Sequence, residues 1–406
     1  MVGANLELLM KLATATSTLL DPQTAARDAY SALEAQLGAA PSLLVVYPTA
    51  SYDVAEVAAT LGRLAPGVPM HGATSCLGVM SGAGFTGEGG VGLGLLGILD
   101  PEGAYGVAAR PLGDDPRAAG RSAIAAAIAA VEREGEPPAL VWLAADPGSE
   151  EAVIAGIQEV LGPNVPIAGG SAADNDVGGA WSQICGGEAL RGSVVVTAMY
   201  PSTGAHFAFH SGYSASESSG VVTRAEGRVL YEIDGRPAAE VYNEWTGGIL
   251  GALGVDANVL GKTTLHPLGR VAGEYGGVPY HRLSHPDSVR RDGALTLFTE
   301  VFVGERLIQM VGTRESLISR AGRVVRAAMS AGNLSQEELA GALVIYCAGC
   351  MLTIQGSIDE VARGISSELA GAPFLGTFTF GEQGCFANNA SYHGNLMISV
   401  AVFERG

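Results

Sequence analysis

The sequence predicts an α/β fold: two layered domains with mixed β-sheets flanked by helices, assembled from repeated β-α-β-β modules. Three observations predict it. One pattern of apolar runs recurs three times; each copy sets a segment of helical periodicity between two strand-length runs; and 406 residues exceed the roughly 250–300 at which a single core stops growing.

The first copy opens with "SLLVVYP" (42–48), continues through Val54, Val57, Ala58, Leu61 and Leu64 at helical spacing, and reaches "VPMHGATSC" (68–76). The second has "ALVWLAA" (139–145), then Val153, Ile154, Ile157, Val160 and Leu161, then "VPIAGGSAADND" (165–176). The third has "ALVIYCAGC" (342–350), then Ile358, Val361, Ile365 and Leu369, then "APFLGTFTFGEQG" (372–384). Proline and glycine keep one interval throughout, at Pro69 and Gly72, Pro166 and Gly169, and Pro373 and Gly376. After the glycine, each copy carries a polar loop and a further apolar run: "VGLGLLGIL" (91–99), "GSVVVTAMY" (192–200) and "LMISVAVF" (396–403). A strand, crossover helix and second strand make a parallel pair, and the short return adds the last strand antiparallel, so the sheets are mixed.

Outside the modules, Asp21 and Pro22 predict the N-cap and first residue of a helix burying Ala26, Tyr30, Leu33 and Leu37. A second helix is expected over 117–133. In "VLYEIDGRPAAEVY" (229–242), Asp234 and Gly235 form a hairpin turn followed by a short helix. The run "GALTLFTEVFVGERLIQMV" (293–311) reads as two strands joined at Gly304 and Glu305. The domains are expected over 1–222 and 223–406.

Composition narrows the function. With 48% hydrophobic and 16% charged residues, the chain can offset its conformational entropy by burial. Lys and Arg number 23 against 41 Asp and Glu, a net charge of −18 without a basic cluster, which argues against nucleic acid and anionic membrane as partners. No apolar run approaches the ~20 residues of a membrane span, and the N-terminus lacks a signal-peptide pattern, so a cytoplasmic location is expected. Five cysteines suit reduced thiols.

Several motifs bear on chemistry. "GAGFTG" (82–87) matches G-x-G-x-x-G but leads into a strand, so the helix N-terminus that cradles a pyrophosphate is missing. Cys347 and Cys350 form a C-x-x-C at a strand end, where a redox dithiol would sit; without a partner to depress a thiol pKa they read as incidental thiols. A second C-x-x-C for zinc is absent. His71, Cys76 and Asp174 offer a base, nucleophile and orienter, although a lone strand histidine is more often packed than catalytic. Asp174 and Asp176 lack a calcium-loop frame. Glu382, between Gly381 and Gly384, is placed to receive an ammonium or backbone donors from a ligand.

The segments "VYPTASYDVAEVAATL", "VPMHGATSCLGVMSG", "VPIAGGSAADND" and "GSVVVTAM" resemble the N-terminal half of the FIST sensory domain, and "VLYEIDGRPAAEVY", "ALVIYCAGC" and "FTFGEQG" resemble its C-terminal half. The resemblance spans about residues 20–404. It implies a signal-input module that binds a small molecule such as an amino acid, with no fused output domain. Its signal would pass to a separate partner such as a histidine kinase or a cyclic-dinucleotide enzyme. Ligand contacts are expected from strand-end loops, at Ser75, Cys76, Ser171, Asp174, Cys347, Glu382 and His393. Some relatives resemble haem proteins that sense nitric oxide; for haem here the axial candidates are His71, Cys76 and His393. A cysteine-dependent enzyme using Cys76 or Cys347 is the competing class. Two departures bear on the pocket: Cys350 stands where the family has arginine, and "YHGNLM" (392–397) carries an inserted glycine.

Overall fold

The computed structural model describes residues 10–275, 277–386 and 390–406. Each module supplies the centre of one mixed sheet. In the first, the parallel strands Leu43–Pro48 and Met70–Ala73 are joined by the helix Val54–Leu64, and Leu93–Leu99 returns antiparallel beside Leu43–Pro48. The second repeats this with Leu140–Ala145, Ile167–Ser171 and Ser193–Tyr200. The third repeats it with Leu339–Cys347, Phe374–Thr379 and Ile398–Glu404. One further strand extends each sheet: Lys11–Ser17, Ala104–Pro111 and Ala205–His210.

The other edge of each sheet is filled by exchange. The polar loop after each conserved-interval glycine forms a hairpin that leaves its own module and joins a neighbour's sheet. Val79–Ser81 and Gly84–Thr86 of the first module add to Phe374–Thr379 of the third. Gln183–Cys185 and Glu188–Leu190 of the second add to Met70–Ala73 of the first. Glu382–Cys385 and Ser391–Gly394 of the third add to Ile167–Ser171 of the second. The three modules thus form a closed ring with no sheet made by one module alone. Strands from either side of residue 222 share two of these sheets.

The strand sequences explain the packing. In Leu43–Pro48, Leu43, Val45 and Tyr47 face a core shared by all three modules, while Leu44 and Val46 face the module's own helices. Leu140, Trp142 and Ala144 likewise point to the shared core, with Val141, Leu143 and Ala145 against the helices Pro116–Ala129 and Glu150–Leu161. Strands buried on both faces read as continuous apolar runs instead of alternating ones. Trp142 closes the shared core by donating its indole N–H to the Tyr47 hydroxyl at 3.0 Å.

The recurrent glycines are explained by close approach. A Cβ on Gly72 would lie 2.1 Å from the Val46 carbonyl oxygen, and one on Gly169 2.0 Å from that of Leu143. At Gly376 it would strike the Met80 side chain of the exchanged hairpin at 2.5 Å.

Asp21 accepts from Thr24 N and caps the helix Pro22–Leu37, as expected. The second expected helix runs over Pro116–Ala129, shorter at its C-terminal end. Asp234 and Gly235, both at positive φ, close the hairpin of Val229–Ile233 with Arg236–Pro237, and the helix Ala238–Trp245 follows. The 293–311 run holds two strands, Leu295–Leu297 and Arg306–Val311, but they pair with other strands and not with each other. These pieces belong to a fourth sheet, antiparallel throughout, built between Ser214 and Val311 around its own core of Leu230, Ile233, Tyr242, Leu268 and Leu295. Among the described residues no helix is long and apolar enough to cross a membrane.

Candidate functional site

The ends of the parallel strands meet at the middle of the ring. Cys76 N donates to Phe378 O (3.0 Å), Ala173 N to Thr74 O (2.9 Å) and Ser171 N to Gly381 O (2.8 Å), so each module's strand-end loop is tied to the next. A cleft of about 140 Å³ opens beside this junction, where the second module, the third module and the fourth sheet come together. The second module contributes Pro147, Glu150, Val177 and Trp181; the third Cys347, Gly349, Leu352, Thr379, Phe380 and Asn395; the fourth-sheet region Arg228, Leu260, His285 and Phe298. Its walls are mainly aromatic and aliphatic, with a few polar groups between them.

Those polar groups are differently disposed. Arg228 reaches across the seam to Glu150 Oε2 at 2.6 Å and Glu151 Oε2 at 2.7 Å. Burial would raise the Glu150 carboxyl, but His393, Arg228 and the Ser171 hydroxyl outweigh it and hold it down at about 2. The Arg228 charge is therefore already matched by carboxylates. His285 is buried, and burial takes its ring down to about 4, so it is neutral. Its backbone N–H donates to Asn395 Oδ1 at 3.2 Å. The other end of that amide is different: Asn395 is 3% exposed and its Nδ2 has no hydrogen-bond partner. A buried amide donor left unmade costs free energy that a ligand acceptor can recover.

Of the residues expected at the site, Cys347 faces this cleft. Ser171 lies behind it, donating to Glu150 Oε1 at 2.7 Å. His393 is also behind it, with Nδ1 3.3 Å from Gln383 Nε2 and Nε2 3.2 Å from Phe298 O. Glu382 is fully buried beneath Thr379, which donates to Oε1 at 3.1 Å, while Met397 N donates to Oε2 at 3.0 Å; burial raises its carboxyl well above the usual range. Ser75 serves the junction, its hydroxyl accepting from Phe378 N at 2.9 Å. Asp174 holds its own loop, accepting from Val177 N at 2.6 Å and Ala180 N at 2.7 Å.

His71, Cys76 and Asp174 do not make a catalytic set. His71 Nδ1 lies 2.9 Å from Thr197 Oγ1, and burial lowers its ring to about 3. Cys76 is pushed up to about 12, by burial first and then by Asp174 and Asp176. Trp181, Arg228, His285, Phe298 and Asn395 were not anticipated. Only Asn395 had a signal, since it lies inside the "YHGNLM" departure.

The three axial candidates for haem do not meet at this cleft. None of His71, Cys76 and His393 lines the cleft, and its volume is below the about 300–1,000 Å³ of pockets for drug-sized ligands.

An uncharacterised protein of Methanocaldococcus jannaschii is 36% identical over 90 residues, which is 22% of this chain and 18% of that protein. The chain therefore spans under a fifth of that relative. Among solved structures, a cyanuric acid hydrolase from A. caulinodans is similar with TM-score 0.39 and 10% identity, covering 97% of this chain and 99% of the other. The T. maritima PurL complexed with ADP is similar with TM-score 0.23 and 12% identity, covering 98% and 71%. Neither likeness carries a fold or an activity across. The profile matches are extensive: residues 42–236 match the FIST N domain and residues 238–385 the FIST C domain. With both domains in order over most of its length, the chain belongs to the FIST family of small-ligand sensory domains.

Proposed function

We propose that this protein senses a compact, uncharged small molecule held in the cleft between the second module, the third module and the fourth sheet, and acts as a binder without catalysing a reaction on it. The observation that carries the reading is Asn395 Nδ2, a buried donor without a partner in the wall of a mainly apolar cleft. The Trp181, Phe298 and Phe380 side chains favour a flat or aliphatic body, and Asn395 favours a carbonyl or similar acceptor on it. A free amino acid fits less well, because Arg228 is committed to Glu150 and Glu151 and leaves a carboxylate without a cation. Occupancy would be read by a separate signalling partner, such as a histidine kinase or a cyclic-dinucleotide enzyme, in a cytoplasmic setting.

Thermal-shift screening of neutral amides, lactams and small aromatic carbonyl compounds tests this, since a native-state binder raises the unfolding midpoint by mass action. A hit should quench or shift Trp181 fluorescence, and Asn395→Leu should weaken it about tenfold or more. Hits confined to charged amino acids, or hits indifferent to both Asn395→Leu and Trp181→Phe, would refute the assignment.

A further inference from the structure

The C-x-x-C of the third module has an environment that the sequence does not disclose. Cys347 ends the strand Leu339–Cys347 as the N-cap of the short helix Ala348–Thr353, and Cys350 is its N3 residue, one turn on, where the two thiols are hydrogen-bonded to each other. The Cys347 sulfur borders the cleft, whereas Cys350 is fully enclosed. Behind Cys350 lies Arg320, 1% exposed, from the helix Arg314–Gly332. Its Nη1 donates to Ser211 O and to Leu396 O (2.7 Å), yet Nε and Nη2 have no partner, and no carboxylate lies within ion-pair distance among the described residues. Its guanidinium stacks 5.0 Å from the Tyr346 ring and 5.6 Å from that of Tyr213, and the Tyr213 hydroxyl is 3.5 Å from Cys350 Sγ.

A buried guanidinium needs an anion, and the group placed to supply one is the Cys350 sulfur. Burial works to raise this thiol, but hydrogen bonding from Cys347, the Arg320 charge and the Tyr213 hydroxyl together bring it down to about 6. At neutral pH the pair then shares one proton and one negative charge.

We propose that Cys347 and Cys350 are a thiol–disulfide exchange site that takes small organic disulfides through the cleft, with Arg320 as the positioning residue for the Cys350 thiolate. The step balances. Cys347 passes its proton to the Cys350 thiolate and attacks one sulfur of the disulfide; a sulfur–sulfur bond to Cys347 forms, and the first thiolate leaves, taking the proton from Cys350. The Cys350 thiolate then attacks the Cys347 sulfur, forming the internal disulfide and expelling the second thiolate. The dithiol is oxidised by two electrons and one disulfide is reduced to two thiols. Oxidation removes the anion facing Arg320, which ties the redox state of the pair to the packing of the Arg314–Gly332 helix. This chemistry is independent of whether the cleft also holds a sensory ligand.

The test uses the full chain carrying Cys185→Ser, since Cys185 is partly exposed and would react on its own. Bis(2-hydroxyethyl) disulfide is added to reduced protein, and acid-quenched samples are mapped by mass spectrometry. We expect an internal disulfide in the peptide holding 347 and 350, with two thiols released per chain, and a mixed disulfide arrested on Cys347 in Cys350→Ser. The rate should be nearly flat from pH 7 to 9, and Arg320→Met should restore the tenfold rise per pH unit of an ordinary thiol. If Arg320→Met fails to fold, the profile of the parent protein decides alone. Both cysteines recovered as free thiols, or a parent rate that climbs tenfold per unit through pH 8, would overturn the proposal.

Discussion

Replacing Arg228 by Met removes the guanidinium that pairs with Glu150 from across the seam, and the consequence can be worked from the structure. The Glu150 side chain is 2% exposed and that of Arg228 23%. Glu150 falls from its ordinary value near 4.5 to about 2, and at about 1.4 kcal/mol per pH unit this corresponds to about 3 kcal/mol. A carboxyl depressed in the folded state contributes stability that is fully present above pH 4.5 and is lost as pH falls toward 2. Taking away one partner of a buried pair costs about 3–5 kcal/mol, because the remaining charge is left in a poor solvent. Urea unfolding of parent and Arg228→Met at a series of pH values is the assay. The two should differ by up to about 3 kcal/mol at pH 7, since His393 and Ser171 share in holding Glu150 down, and converge as pH drops from about 4 toward 2. Adding Glu150→Gln to Arg228→Met should recover part of the loss, since only the less deeply buried Glu151 carboxylate then lacks its cation. A difference below about 0.5 kcal/mol at pH 7, or one that does not change with pH, would show that the pair does not act as argued.

Other substitutions separate causes that look alike in sequence. Glu382→Gln should cost under about 1 kcal/mol at pH 7, and less as pH rises, because burial raises this carboxyl and the parent loses stability above pH 4.5, where the unfolded chain ionises while the buried group stays protonated, whereas the amide does not; a loss matching that of Glu150→Gln at pH 7 would contradict this. Gly169→Ala places a Cβ 2.0 Å from the Leu143 oxygen and should lower the thermal midpoint by many degrees or abolish folding, while Gly364→Ala, in the helix Ile358–Glu368 with open space around it, should be neutral or stabilising by up to about 1 kcal/mol. Iodoacetamide at pH 7.5 should leave Cys76 and Cys385 unmodified in the folded protein, since burial raises their thiols to about 12 and about 11; rapid alkylation of either would mean that its surroundings open.

The three modules were legible because their signals are local. Strand runs buried on both faces, helical spacing and the Pro-to-Gly interval all act within some thirty residues, and the strand-end rule brought Cys347 to the cleft. The exchange of hairpins was not legible. Val79–Ser81 and Gln183–Cys185 are three residues long, and nothing in so short a run says whose edge it joins. In sequence the glycines around Glu382 read as open backbone, yet their room is taken by protein: a Cβ on Gly381 would lie 2.5 Å from His393 Cε1, and one on Gly384 2.2 Å from the Phe209 ring. Arg228 and Arg320 lie outside every motif, and their importance comes from buried partners brought close by tertiary packing. Asn395 shows the same limit from the other side, since an amide in sequence does not reveal that one of its ends goes unmatched.

The ring of exchanged hairpins also determines which part of the molecule a ligand can move. Each module donates strands to a neighbour's sheet, so shifting one module would break backbone ladders in two sheets at once. The fourth sheet faces the cleft through a different kind of contact: the Arg228 pairs with Glu150 and Glu151, the His393 approach to Phe298 O, and the Asn395 bonds with Leu283 and His285. These are single hydrogen bonds and ion pairs beside the packing of Leu283 and Met310 on the third module's core, and among the described residues no strand ladder joins the fourth sheet to a module. A ligand changes a conformational equilibrium only by the difference in its affinity for the two states. A molecule bonded to Asn395 and packed between Trp181 of the second module and Phe298 of the fourth-sheet region touches both sides of that seam. Its affinity therefore depends on how the two sides stand, and this dependence is what a sensory domain needs in order to pass occupancy on as shape.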